Sequence, residues 1–213
     1  SPSQIEELIL GFLLLERLID KYEDIYSLKY VPEVNCVYVE GRDLASTTYG
    51  KLSSACCGKS RPALAFADDL QITRAVRSDI RIPLEDVYFY ADYLQNHLPL
   101  FQETGGVHSG GIAKNRQILF TSYDIGRHNV LDKLYGQASR HGINLSDHIV
   151  FFSGRVASEI LFKVAKMGAP ILIARSAPTN LAIEYARELN ITMAGFARGR
   201  QVNIYTCPER LIF

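Results

Sequence analysis

The chain has 213 residues, 47% hydrophobic and 22% charged, with 23 Lys+Arg against 23 Asp+Glu for a formal net charge of +0. Such a chain is long and apolar enough to bury a sizeable core. Its neutrality excludes the overall positive field that draws a protein to nucleic acid or to an anionic membrane. The 4 cysteines, Cys36, the adjacent Cys56 and Cys57, and Cys207, do not form the framework of a small disulfide-stapled secreted domain and point to a reducing cytoplasm.

Ile5 to Ile19 predicts a helix buried on most sides, opened by a capping box in which Ser3 accepts from the amide of Glu6 while Glu6 reaches back. Glu6, Glu7, Glu16 and Arg17 interrupt this apolar run below the about 18 residues of a membrane span, and it lacks the cationic start of a signal peptide. Ile25 to Tyr30 and Val34 to Val39 alternate about Pro32 and predict a strand pair. Leu52 to Pro62 then reads as a loop in which Lys51, Lys59 and Arg61 surround Cys56 and Cys57, the cationic setting that raises a thiol's thiolate fraction. This is the stretch suited to sulfur or redox chemistry; the plainer alternative is two small buried hydrophobes. Ala63 to Ile80 shows no firm period. Leu84 to His97 predicts a helix, with Pro83 in its first turn and Val87, Tyr90, Ala91 and Leu94 on one face. Glu103 to Gly111 is a second glycine-rich loop, too permissive for regular structure.

From there the pattern repeats as strand, turn, helix: Gln117 to Ser122 then Gly126 to Arg140, His148 to Phe152 then Arg155 to Met167, Pro170 to Ala174 then Thr179 to Leu189, and finally Ile191 to Phe196. Continuous apolar strands alternating with helices predict a largely parallel sheet covered on both faces, with Gln201 to Tyr205 returning as an edge strand. Ligands bind outside the carboxyl ends of such strands. Every strand-end junction carries arginine: Arg127, Arg155, Arg175, and Arg198 with Arg200. Beside helix N-termini these guanidiniums suit an anion, and a nucleotide or other phosphorylated cofactor is the expected ligand. The plainer alternative makes Ser153 and Thr179 helix N-caps and leaves the arginines solvated, with Arg155 one turn into its helix. His108 and His128 are candidate acid/base groups, and Asp124 is either a ligand contact or a helix partner. No C-x-x-C pair or H-x-E is present, which argues against a zinc site.

At Asp124-Ile125-Gly126-Arg127-His128-Asn129-Val130-Leu131-Asp132-Lys133, Ser153-Gly154-Arg155, Ser176-Ala177-Pro178-Thr179 and Gly195-Phe196-Ala197-Arg198-Gly199, the sequence resembles the FdhD/NarQ family of formate dehydrogenase accessory sulfurtransferases. Gly105-Gly106-Val107-His108 and the opening Ile5 to Phe12 are similar to that family as well, and the resemblance covers essentially the whole chain. It implies an α/β fold: a cytidine-deaminase-like three-layer α/β/α domain with a mostly parallel mixed sheet, plus a small N-terminal α+β lobe. Residues 1–62 would hold the first helix, strand pair and cysteine loop, and 63–213 the cofactor-binding domain, the alternative being a single domain, since no low-complexity linker separates them. It implies a cytoplasmic homodimer, without a catalytic metal, that takes sulfur from a cysteine desulfurase as a cysteine persulfide. The sulfur passes to the molybdenum bis-molybdopterin guanine dinucleotide cofactor, which serves the formate dehydrogenase catalytic subunit. The family's cofactor-binding segment falls on Phe196, Ala197, Arg198, Gly199, Arg200 and Gln201, joined on the rim by Arg127, His128, Ser153, Arg155, Ser176, Thr179 and His108.

The sequence departs from the family at its Cys-Gly-x-Cys-Gly pattern: with Cys57-Gly58 as the second half, Ser54 and Ala55 stand where the first pair falls and Cys56 takes the variable position. The persulfide acceptor is therefore Cys57 or Cys56. The family also carries a β-rich segment before its first helix, which implies that such a segment precedes this sequence. Two other readings stay open: a non-catalytic chaperone that binds and delivers the cofactor, and a deaminase-type zinc hydrolase.

Overall fold

A computed structural model of the chain describes residues 3–42, 44, 73–97 and 99–213. Helix α1 (Ile5–Leu15) stops short of Ile19. Arg17 takes a left-handed backbone (φ 56°), its amide donates to Leu14 O and that of Leu18 to Leu13 O, so the helix closes in a Schellman turn. At the other end the Ser3–Glu6 capping box does not form. Gln4 is the N-cap residue, also left-handed (φ 54°), and its side chain turns away to the sheet, where Ser122 Oγ donates to its Oε1 at 2.6 Å. A long-range hydrogen bond has displaced the local cap. Strands β1 (Ile25–Val31) and β2 (Cys36–Gly41) pair antiparallel, and Ile25 and Val39 pack with Leu10, Leu13 and Ile19.

The central sheet has six strands: β4 (His108–Lys114), β5 (Gln117–Asp124), β6 (Ile149–Phe152), β7 (Ile171–Ala174), β8 (Thr192–Arg198) and β9 (Gln201–Thr206), in the order β5-β4-β6-β7-β8-β9. The pairs β6–β7 and β7–β8 are parallel; β4 is antiparallel to both β5 and β6, and β9 to β8. Two reversals cancel, so β5, β6, β7 and β8 all run the same way. The sheet is mixed, its parallel character lies in those four directions, and β9 is the expected edge strand. A short parallel pair, β3 (Ile82–Pro83) with β10 (Leu211–Ile212), ties the C-terminus to the start of helix α2 (Leu84–Asn96).

Alternation along the buried strands builds the three layers. Ile149, Phe151, Ile171 and Ile173 face α2, where Tyr90 stacks on Phe151 with ring centroids 5.5 Å apart. Val150, Phe152, Leu172 and Ala174 face the opposite layer, helices α4 (Arg127–Arg140), α5 (Ser158–Met167) and α6 (Asn180–Glu188). Both faces being covered is why these strands read as unbroken apolar runs; each large side chain so buried contributes about 1.5–3 kcal/mol. Helix α1 packs along α4, on this same layer. Among the described residues no helix is long and apolar enough to cross a membrane.

The segment expected as a glycine-rich loop is largely regular. Helix α3 (Pro99–Thr104) occupies its start and β4 begins at His108. Gly110 and Gly111 belong to the strand because the neighbouring strands leave no room for a side chain: a Cβ on Gly111 would lie 2.2 Å from Phe151 Cζ, and one on Gly110 2.9 Å from Phe151 O. Close approach, not turn freedom, explains these glycines.

Candidate functional site

Because β5 to β8 point the same way, their carboxyl ends meet along one edge, and reversed β4 brings its first residue, His108, to that edge opposite Asp124. Hydrogen bonds stitch the junctions together. Ser109 N donates to Ser153 Oγ (2.8 Å) and Ser153 N to Ser109 O (2.9 Å). Ser176 Oγ donates to Ser153 O (2.8 Å), Arg175 N to Phe152 O (2.9 Å), and Phe196 N to Ser176 O (3.3 Å). The residues expected on the rim from four separated stretches of sequence are thereby brought together.

Their parts differ. Arg155 precedes α5 and is exposed, not one turn inside the helix; Arg127 and Arg175 are half-buried at their junctions. Arg198 is exposed at the end of β8, Gly199 makes the turn with φ 53°, and Gln201 opens β9 opposite Arg198. Arg200 is held at 2.7 Å by Glu85, in the first turn of α2, a surface pair of little energetic weight. Ala197 turns its side chain into the core beside α2 and offers the rim only its backbone. Thr179 is the N-cap of α6, its Oγ1 accepting from Ala182 N at 3.2 Å, as the plainer alternative had it. Ser153 is no cap: α5 starts from Ala157, and α4 from Gly126, each without a side-chain cap bond. The amide ends of α4 and α5, with their positive dipole ends, are thus left to the rim. Thr179→Ala is expected to cost about 1 kcal/mol of stability, read by chemical denaturation, because only the α6 cap is lost.

Asp124 is a helix partner. Its Oδ1 accepts from Gly126 N (2.8 Å) and Asn129 Nδ2 (3.0 Å), and its Oδ2 from Lys133 Nζ (2.7 Å), whose side chain is completely buried. Asp124, Asn129 and Lys133 lock the turn that presents Arg127 and His128. Sequence reasoning missed Asn129 and Lys133, although the signal was there: four residues apart on a helix they share a face, and that face looks back at Asp124.

His108 is half-buried, its ring 6.2 Å from that of Phe152 and its Nδ1 directly over Gly154, where a Cβ would come within 3.1 Å. Burial first, then the guanidiniums of Arg127 and Arg155, push its pKa below the usual histidine value. Phe196 is a further feature that periodicity did not reveal. It sits in the irregular stretch between Gly195 and Arg198 with a left-handed backbone (φ 53°) and is 44% exposed. A non-glycine residue held this way costs about 1–3 kcal/mol, a strain found at ligand sites. Cys56 and Cys57 lie outside the described residues.

The geometry defines a three-layer α/β protein whose strand ends gather arginines, helix amides, a histidine and an exposed aromatic ring along one edge. The chain belongs to the FdhD/NarQ family, whose model matches residues 1–212. It is 40% identical over 217 residues to the sulfur carrier protein FdhD of Halalkalibacterium halodurans, covering 100% of this chain and 80% of that protein. It is also 40% identical over 215 residues to the sulfur carrier protein FdhD of Bacillus subtilis, covering 99% of this chain and 82% of that one. A crystal structure of a protein from Desulfotalea psychrophila, assigned as a candidate formate dehydrogenase accessory protein, shares the fold. Its TM-score is 0.79 at 24% identity, over 99% of this chain and 81% of that one.

Proposed function

We propose that the chain is a sulfur carrier for formate dehydrogenase, moving sulfur from a cysteine desulfurase to the molybdenum bis-molybdopterin guanine dinucleotide cofactor. The observation that carries this reading is 40% identity over the whole chain with proteins named sulfur carrier protein FdhD. The thiolate of Cys57 or Cys56, favoured by Lys59 and Arg61, attacks the outer sulfur of the desulfurase persulfide. A new S–S bond forms on the carrier as the old one breaks, and the desulfurase cysteine leaves as a thiolate. The cofactor is the substrate of the next transfer, and the rim is where it would be held. Arg127, Arg155, Arg175 and Arg198 carry the charge to match its phosphates bidentately, with the amide ends of α4 and α5 beside them. Phe196 offers an exposed face for a guanine ring. The carrier acts in the cytoplasm as a homodimer.

The test is intact-protein mass spectrometry after incubation with a cysteine desulfurase and cysteine, on the parent, Cys56→Ser and Cys57→Ser proteins. The expected result is one added sulfur atom on the parent and its loss in one of the two variants, which identifies the acceptor. No adduct on the parent overturns sulfur transfer and leaves a cofactor chaperone.

A further inference from the structure

His108 differs from the serines and the aspartate of the rim. Neither of its ring nitrogens makes a hydrogen bond to any described residue, whereas Ser153, Ser176 and Asp124 are all engaged by neighbours. The ring is fixed by its strand: Ser109 is bonded in both directions to Ser153, Phe152 lies beside the imidazole, and Gly154 leaves the space its Nδ1 occupies. A half-buried imidazole with neither nitrogen engaged by a described residue keeps hydrogen-bonding capacity that a ligand at the strand ends can take over from water.

The charges around it have a definite arrangement. From α4 come Arg127 and, next in the same turn, His128; from the β6–α5 junction comes Arg155; from β5 comes Asp124, whose carboxylate is already committed to Lys133, Asn129 and Gly126. In the free protein the imidazole therefore faces two guanidiniums with no uncommitted carboxylate among these groups, and burial together with Arg127 and Arg155 disfavours its charged form. A pyrophosphate held by those same arginines would reverse the sign of the potential at the ring.

Resting on the reading of the rim as the cofactor's phosphate site, we propose that His108 contacts the bound pyrophosphate and takes up one proton as the anion binds. The rim then gains a positive charge as it is occupied, and the imidazole of the loaded state titrates at higher pH than that of the empty state. The sign follows from linkage. The bound form holds the proton more tightly than the free form, so binding is tightest at low pH. It weakens by up to tenfold per pH unit between the imidazole's pKa in the free protein and its higher pKa in the complex.

The experiment uses the full chain and a pyrophosphate diester joining two guanosines, whose phosphates stay fully ionised across the neutral range, so any proton taken up belongs to the protein. Isothermal titration calorimetry at neutral pH, in buffers of different ionisation enthalpy, should show net proton uptake on binding, retained in His141→Gln, at the opposite end of α4 from the rim, and lost in His108→Gln. Binding without uptake, or uptake that survives His108→Gln, overturns the inference while leaving the rim as the nucleotide site. No binding to the parent overturns the rim reading itself. If His108→Gln fails to bind, NMR titration of the parent imidazole decides: its pKa should rise on adding the dinucleotide, and an unchanged value refutes the proposal.

Discussion

Asp124→Asn is expected to destabilise the protein by about 3 kcal/mol or more, lowering the thermal midpoint on the order of 10 °C. The Lys133 ammonium is completely buried and has two acceptors, Asp124 Oδ2 at 2.7 Å and Tyr123 O at 3.0 Å. Neutralising the carboxylate leaves a buried cation facing neutral oxygens, and removing one partner of a buried pair costs far more than removing an exposed one. Lys133→Met should be comparably harmful, since it strands the buried carboxylate. The double variant, Asp124→Asn with Lys133→Met, should lose much less than the sum of the two, because no unpaired charge remains. Chemical denaturation of the four proteins measures this. Additive losses of a few tenths of a kcal/mol would mean that the pair is solvated and does not hold the α4 turn. A second buried pair, Lys163 with Asp132, joins α5 to α4, so both helices that open at the rim are fastened behind it by charge.

Gly136→Ala is expected to destabilise by about 2 kcal/mol or more, against the up to about 1 kcal/mol of stabilisation that helix propensity would give an alanine in mid-helix. Helices α1 and α4 cross in backbone contact: a Cβ on Gly136 would lie 1.9 Å from Glu7 O, and one on Gly11 1.8 Å from Asp132 O. The obstacle on each side is main chain, which no rotamer change can move, so α1 would have to lift off α4. Gly11→Ala should behave the same way. The measurement is the denaturation midpoint of each variant; a stabilised Gly136→Ala protein would show that the crossing is looser than described.

Much of the fold was legible because its signals are local. The apolar strands, the helix over Leu84 to His97, the hairpin about Pro32 and the Thr179 cap each depend on residues within a turn or two of one another, and each is found within a few residues of its expected place. The rim was legible for a different reason. Where the carboxyl ends of co-directional strands fall is a rule of topology, so arginines at successive junctions were expected to meet before any distance was known.

Local pattern failed where a distant partner outbid a near one. Ser3 to Glu6 has the letters of a capping box, yet Gln4 binds Ser122 across 118 positions of sequence and the helix starts differently. Gly110 and Gly111 carry turn letters, and the neighbouring strand made them sheet. Ala197 and Arg200 sit among rim residues in the sequence, but the pleat sends the first into the core and Glu85 of α2 takes the second.

The sequence by itself determined the alternation of strand and helix and the edge at which the junction arginines gather, since periodicity, capping and charge placement act over short spans of chain. Only the tertiary structure decided which of those rim residues are spent on holding the site together and which face outward. It made Asp124, Ser153 and Thr179 internal supports, turned Phe196 out under strain, and left the ring nitrogens of His108 without a hydrogen bond to any described residue. These outcomes depend on which atoms from distant stretches come within hydrogen-bonding distance, and that is set by the packing of the whole sheet.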